Sequence, residues 1–440
     1  MFVAYRRWPF LWADDEIEDR DAYWHALQKA RGTEVAMILE QLDLGALTAR
    51  ASALRDGVQC RVVVPEEGDE TAATQMGNYN FHLELCFEDG VQWIARFKRT
   101  EPSPPPPAIR EYLVKSEAAT YRFLEKTRVP APKVFEVVSD SSNPVGAGYI
   151  LMEKVPGQSL SSMLPTADQT QKVLAQIADM YEELHKYPFE TMGSLDQMDF
   201  DHIGPVAYDL VAQLDPDHGP DFPGPFRTAK DFYVSMLSRV LDLIVGGELY
   251  PDWAVDTYLV HRFMLDLVPL LPGINDQNFY LRHPDDSGSH IMVDDDFNIT
   301  GIIDWEWAYT VPKCVAFTSF AWLWDVSDFF DGINELSDKE KHFAQLFTQK
   351  ETLQGTQESV GRYVREGKGI QRFHFLMAYE FYDRDFESYT VMFGALRKAF
   401  DVDASLNWEE WRSTALERYA DDEGLQKLLQ ARVAVGGAAA

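Results

Sequence analysis

The sequence predicts an α+β protein of two lobes, in which a small antiparallel sheet with one principal helix precedes a larger, mainly helical lobe. Three observations point there. The 440 residues, 46% hydrophobic and 25% charged, suffice for two or three folded units at roughly 150 residues per domain. β-branched and alternating runs gather between Cys60 and Glu153. Beyond the Pro156-Gly157 break, apolar residues recur at helical spacings instead.

Residues 1–55 carry helical-looking segments, Ala22–Ala30 and Ala36–Leu44, and read as an extension ahead of the catalytic core. Residues 56–155 form the first lobe. Arg61–Val64 is a β-branched run, Glu66–Glu70 an acidic turn, and Asn80–Phe87 alternates as a half-buried strand does. Asp89-Gly90 then turns the chain into a return strand over Val91–Phe97, since Asp-Gly between two β-rich runs is a strong hairpin signal. Pro104–Pro107 is an extended spacer, and Ile109–Thr127 reads as a helix packed on the sheet. Val134–Val138 and Tyr149–Glu153 complete the strands. Residues 156–434 form the second lobe, with helices over Asp168–Tyr187 and Ala229–Ile244, the latter capped by Thr228, and further helical patterns after Pro312 and through Tyr379–Ala399. Its one clear β-rich segment is Phe279–Asp304, and residues 435–440 read as a frayed tail.

Charge narrows the partners. With 40 basic and 71 acidic residues the net charge is −31, a field that repels phosphate backbones and anionic lipid, so nucleic acid and membrane surfaces are excluded as partners. The same field would attract a cationic small molecule, or do no more than keep the chain soluble. The three cysteines, Cys60, Cys86 and Cys314, are far apart and lack zinc spacing. No run approaches the roughly 18 apolar residues of a membrane span, and Trp8–Ala13 is too short and too soon followed by acids to be a secretory signal. The expected location is cytoplasmic.

The chemistry is concentrated in Phe279–Asp304. Two short apolar strands, Ile291–Val293 and Ile299–Ile303, flank the acidic turn Asp294–Asp296. Asp285 precedes the first strand and Asp304 follows the second, so hairpin pairing brings two carboxylates to one rim. A divalent cation beside them is the usual reason for two such acids to coexist, because it removes their repulsion.

This segment resembles the aminoglycoside phosphotransferase family, whose fold is similar to that of the protein kinases, and in particular its divergent fungal members. His283-Pro284-Asp285 looks like the family's His-x-Asp catalytic loop, and Asp304 in Ile-Ile-Asp-Trp-Glu looks like its metal-binding Asp. His290 stands five residues after Asp285, where the family has a metal-binding Asn. Leu151-Met152-Glu153 is similar to the segment joining the lobes, and Gly193-Ser194-Leu195 and Gly224-Pro225-Phe226 are similar to fungal members. The resemblance covers roughly 77–312 and implies a protein-kinase-like fold with ATP and Mg²⁺ between the lobes and transfer of the γ-phosphoryl group to a hydroxyl of a small-molecule acceptor. It also implies roles. Asp285 would orient the hydroxyl and take its proton, His283 would support the loop, and Asp304, with His290, would hold metal. Arg96 falls where the phosphate-contacting Lys sits, Glu117 where the helix supplies its partner, and Met152 and Glu153 at the nucleotide-binding junction. Lys98, two residues on and on the same strand face, is a rival to Arg96.

The departures carry an alternative. His290 offers nitrogen in place of a hard oxygen donor, Arg96 a planar fork in place of an ammonium, and Gly77-Asn78-Tyr79-Asn80 has one glycine where the nucleotide-covering loop usually has more. A catalytically impaired nucleotide-binding or scaffolding protein would show the same departures. Plainer readings stand beside the functional ones: Asp285 and Asp286 as turn caps, Arg96 as a surface cation, His290 as a loop-bonding histidine, and Trp305 and Trp307 as core or rim aromatics. Tyr379–Asp383 is a candidate for gripping an amine-bearing acceptor.

Overall fold

A computed structural model describes residues 20–437 apart from 65–76, 78, 100–104, 200, 216, 218, 286, 325, 355–359 and 379–385. The expected Glu66–Glu70 turn, Asn78, Pro104, Asp286 and the Tyr379–Asp383 candidate therefore lie outside the described residues.

The first lobe begins with helices α1 (Arg20–Gln41) and α2 (Leu44–Ala53), where Asp43 caps α2 by accepting the Ala46 N–H at 2.8 Å. Strands β1 (Cys60–Val63), β2 (Asn80–Phe87), β3 (Gln92–Lys98), β4 (Val134–Val138) and β5 (Tyr149–Glu153) form one antiparallel sheet in the order β1-β2-β3-β5-β4. The Asp89-Gly90 turn sets the register, so that Asn80 pairs with Lys98 and His82 with Arg96. Because side chains alternate, Phe81, Leu83, Ala95, Phe97, Tyr149 and Leu151 all point to one side, where Val35, Ile38, Leu42, Leu47 and Ala51 of the two helices cover them. The segment expected to be an extension thus supplies five of the fifteen buried side chains of this core.

Helix α3 (Pro107–Leu124) covers the opposite face and opens with proline in its first turn, where the missing N–H costs nothing. It ends three residues earlier than expected. Val114, Ala119, Tyr121 and Phe123 of α3 share a continuous core with the second lobe, together with Ile150 and Met152 of the sheet.

The second lobe opens on β6 (Gln158–Ser159), and α4 (Ala167–Leu184) is held at its start by a Thr166–Gln169 capping box and buries Val173, Leu174 and Ile177. Two small hairpins follow, β7 (Ser194–Leu195) with β8 (Ile203–Gly204) and β9 (Gln213–Asp215) with β10 (Gly219–Asp221). The sequence reading did not anticipate them, because strands of two or three residues leave no periodic signal. Helix α5 (Ala229–Val245) is capped by Thr228 as expected, and α6 (Ala254–Leu267) packs beside it.

The β-rich segment comprises β11 (Phe279–Arg282), β12 (Ile291–Val293) and β13 (Ile299–Ile302), and a further strand β14 (Tyr309–Pro312) returns to pair with β11. β12 pairs antiparallel with both β13 and β6. Gly157, at φ +103°, lets the inter-lobe linker pass so close that a Cβ would lie 2.3 Å from the Val293 carbonyl oxygen. The remainder is helical: α7 (Lys313–Ala316), α8 (Val326–Phe330), α9 (Asp338–Gln354), α10 (Gly361–Glu366), α11 (Lys368–Ala378), α12 (Phe386–Ala399), α13 (Trp408–Arg418) and α14 (Glu423–Gly437). α14 corrects the expected tail, since it carries residues 435–437 as helix while 438–440 lie outside the described residues. Among the described residues no helix is long and apolar enough to cross a membrane.

Candidate active site

The loop between β11 and β12 is built around two imidazoles. His283 is buried, accepts the Asp285 N–H on Nδ1 at 3.1 Å, and donates from Nε2 to the Ile303 carbonyl at 2.9 Å. These partners define the neutral tautomer, and burial pushes the ring's pKa down to about 4. His283 therefore pins the Asp285 loop to the end of the strand that leads to Asp304. His290 donates from Nδ1 to the Asp285 carbonyl at 2.7 Å. The same ring lies 3.7 Å from Asp285 Oδ2 and, through Nε2, 3.4 Å from Asp304 Oδ2. One imidazole thus lies between the two carboxylates, with Asp285 beside Nδ1 and Asp304 beside Nε2. They differ in exposure: the Asp285 side chain is 63% exposed, that of Asp304 34%.

Across from this loop, β3 and α3 present a buried charge cluster. Arg96 pairs through Nε with Glu117 Oε1 at 3.2 Å and through Nη2 with Asp304 Oδ1 at 2.7 Å and Glu306 Oε2 at 3.0 Å. Lys98, on the same strand face, is ion-paired to the other oxygen of Glu306. Asn80, opposite Lys98 in the ladder, donates to Glu306 Oε2 at 2.8 Å. The strand alternation that sends Phe97 to the apolar face sends Arg96 and Lys98 here together.

Two cations face three carboxylates in this cluster, so one acid is left undercompensated. Burial, outweighing the pull of Arg96 and Lys98, raises the most enclosed of them, Glu117, to about 7. Burial also works to raise Asp304, but Arg96, aided by His290 and His283, holds it well below the usual carboxylate range. Asp304 is therefore an anion at any physiological pH. It sits at φ +64°, unusual for a residue with a Cβ.

Metal fit depends on the donors. With Oδ1 engaged by Arg96, Asp304 keeps Oδ2 beside the His290 ring, and a hard oxygen of this kind would suit one Mg²⁺ that takes its remaining ligands from phosphate and water. Among the described residues no group of three or more His, Cys, Asp or Glu side chains is assembled to hold a cation by itself. His290 offers nitrogen, so a second oxygen-ligated Mg²⁺ does not fit there.

Met152 and Glu153 stand apart from this cluster. Met152 is buried in the ladder, and the Glu153 N–H already donates to the Lys133 carbonyl at 2.8 Å while its carboxylate accepts the Lys133 N–H at 3.3 Å. Trp305 is buried, and Trp307 is a half-buried rim aromatic set edge-on to Tyr79 at 4.4 Å. Asp294 closes its turn by accepting the N–H groups of Asp296 at 3.0 Å and Asn298 at 2.8 Å.

Three residues were given no site role from the sequence. Asn80 was named only as the end of the Gly77-Asn78-Tyr79-Asn80 loop, although counting back from Asp89-Gly90 places it opposite Lys98. Glu306 is two residues beyond Asp304, but a left-handed residue intervenes and no simple alternation predicts where it points. Tyr121 carried no signal beyond helical spacing.

Residues 75–328 match the phosphotransferase enzyme family, APH. A subtelomeric hrmA-associated cluster protein of Aspergillus fumigatus is 38% identical over 141 residues, which cover 31% of this chain and 27% of the relative. Clavilactone A biosynthesis cluster protein Y of Ampulloclitocybe clavipes is 23% identical over 257 residues, 56% of this chain and 62% of that protein. The chain thus spans about a quarter of the first relative and less than two thirds of the second. A crystal structure from Ralstonia eutropha, assigned as an aminoglycoside phosphotransferase, superposes with a TM-score of 0.50 at 15% identity, over 82% of this chain and 98% of that one, and shares the kinase-like fold. With the β2–β3 hairpin, α3 and the His283-to-Asp304 loop and hairpin all inside the matched region, which covers more than half of the sequence, this chain belongs to the phosphotransferase enzyme family.

Proposed function

We propose that the protein is an ATP- and Mg²⁺-dependent O-phosphotransferase that moves the γ-phosphoryl group of ATP to a hydroxyl of a small-molecule acceptor. The observation that carries this reading is the meeting of an exposed carboxylate, Asp285, with a cation-paired one, Asp304, on the single imidazole of His290. Asp285 faces solvent and would orient the acceptor hydroxyl and take up its proton as the oxygen attacks phosphorus. Arg96, held by Glu117, would contact the phosphates from the sheet side, with Lys98 beside it. Mg²⁺ at Asp304 would neutralise charge on the transferring group. His283 keeps the loop against Ile303 and moves no proton. The net charge of −31 favours a cationic acceptor, and kinship with a biosynthesis-cluster protein supports a small molecule. The three thiols are free, which suits a cytoplasmic setting.

The test is a screen of hydroxylated amines, sugars and secondary metabolites for acceptor-dependent ATP consumption. Asp285→Ala is expected to lower turnover about 10³-fold, within the span of general-base effects, while leaving nucleotide binding intact. An unchanged rate in that variant would sink the reading. A second reading, a nucleotide-binding protein without transferase activity, is favoured by the nitrogen of His290 and by the engagement of both Arg96 and Lys98 with carboxylates. Stoichiometric ATP binding with no turnover on any acceptor would select it.

A further inference from the structure

We infer that Tyr121 is a positioning residue for Asp304: its hydroxyl holds the left-handed turn that aims the Asp304 carboxylate, and so sets metal-nucleotide affinity from the back of α3. The inference rests on the nucleotide site proposed above. Tyr121 is fully buried, and its hydroxyl accepts two successive backbone N–H groups, that of Asp304 at 3.2 Å and that of Trp305 at 3.4 Å. Converging successive amides form a concavity that suits an electronegative atom, and the phenolic oxygen fills it. Asp304 needs such support, because φ +64° is a region that a Cβ disfavours.

Glu117 and Tyr121 lie four residues apart on α3 and so share one face of the helix. Glu117 reaches Arg96, and Tyr121 reaches the backbone of the residue that Arg96 grips. One helix therefore locates both members of the Arg96–Asp304 pair. That helix is fastened to the second lobe at its other end too, where the Tyr112 hydroxyl donates to the Pro205 carbonyl at 2.8 Å and Ile109 and Leu113 pack with Ala207 and Phe222. A tyrosine that merely satisfied two buried amides would affect stability alone. One that positions Asp304 affects the metal-dependent part of nucleotide binding and leaves the rest unchanged.

Calorimetric titration of ATP into wild type and Tyr121→Phe, in Mg²⁺ and again in EDTA, separates the two. Tyr121→Phe keeps the ring and loses only the oxygen. It is expected to weaken Mg²⁺-ATP binding about tenfold, the scale of one lost hydrogen bond, and to leave binding in EDTA within about twofold. In an Asp304→Asn background the effect should vanish, because the tyrosine acts through that residue. Unchanged Mg²⁺-ATP affinity, an equal loss in EDTA, or a persisting tenfold loss in Asp304→Asn would each overturn the inference. If Tyr121→Phe does not fold, 3-fluorotyrosine at position 121 gives the same comparison, with a loss of about two- to threefold expected from the weaker acceptor. A wild-type protein that binds no ATP in either condition marks failure of the nucleotide site itself, seen before any variant is made, and the inference falls with it.

Discussion

The two faces of the first lobe's sheet are both buried, yet they are covered in opposite ways. One face meets α1 and α2 through an apolar core, from Phe81 and Leu83 to Phe97 and Leu151, with ion pairs such as Arg50–Glu136 and Arg99–Glu34 only at its margins. The other meets α3 and carries Arg96 and Lys98 among Ile94, Ile150 and Met152, with three carboxylates drawn around the two cations. The apolar face belongs wholly to its own lobe. The charged face belongs to both, because α3 packs into the second lobe's core and two of the carboxylates come from beyond β13. Stability and chemistry are thus separated across the thickness of one sheet.

Breaking the apolar face should produce the largest effect on folding. Phe97→Ala removes a fully enclosed ring and is expected to cost about 3–5 kcal/mol in urea unfolding, with Mg²⁺-ATP affinity of the folded protein changed by less than about twofold. A parallel loss of affinity would show that the faces are not independent.

The response to pH separates Glu117, on the charged face, from three buried histidines of the second lobe. Burial lowers His261 and His283 to about 4 and His374 to about 3, so the unfolded chain binds more protons than the native one below the ordinary imidazole value. Their contribution to stability is lost as pH falls from about 6.5 to about 4. Glu117, raised to about 7, has the opposite sign, since its native form holds a proton that the unfolded chain releases, and its contribution is lost as pH rises from about 4.5 to 7. Three groups against one leave a net gain on the order of 3 kcal/mol between pH 5 and pH 7. Glu117→Gln should steepen that rise, and urea melts of both proteins at the two pH values measure it. A shallower slope in the variant would mean that Glu117 is not the acid left undercompensated.

The smallest expected effect sharpens the comparison at the metal. His290→Asn restores an oxygen donor and removes the ring lying between the two acids, so Mg²⁺-ATP should bind about tenfold tighter, or about 1.4 kcal/mol. Equal or weaker binding by calorimetry would assign the histidine to the loop alone, through its bond to the Asp285 carbonyl.

Much of this arrangement was legible before any coordinates. Asp89-Gly90 defines the β2–β3 hairpin and its register, alternation puts Arg96 and Lys98 on one side, Thr228 marks the start of α5, and two strands flanking an acidic turn bring Asp285 and Asp304 together. All of these follow from chain-local geometry, which a sequence encodes directly. Which cation meets which acid was not legible, and Glu306, Tyr121 and the covering role of α1 and α2 were not either. Those depend on contacts between residues as far apart as Asn80 and Glu306, or Tyr121 and Asp304, and on a left-handed backbone at Asp304 that no propensity announces. The sequence by itself determined the elements and the acids at their ends. Only the tertiary structure decided how buried charge is shared among them, because that sharing is settled by distance and desolvation once the two lobes close on the same helix.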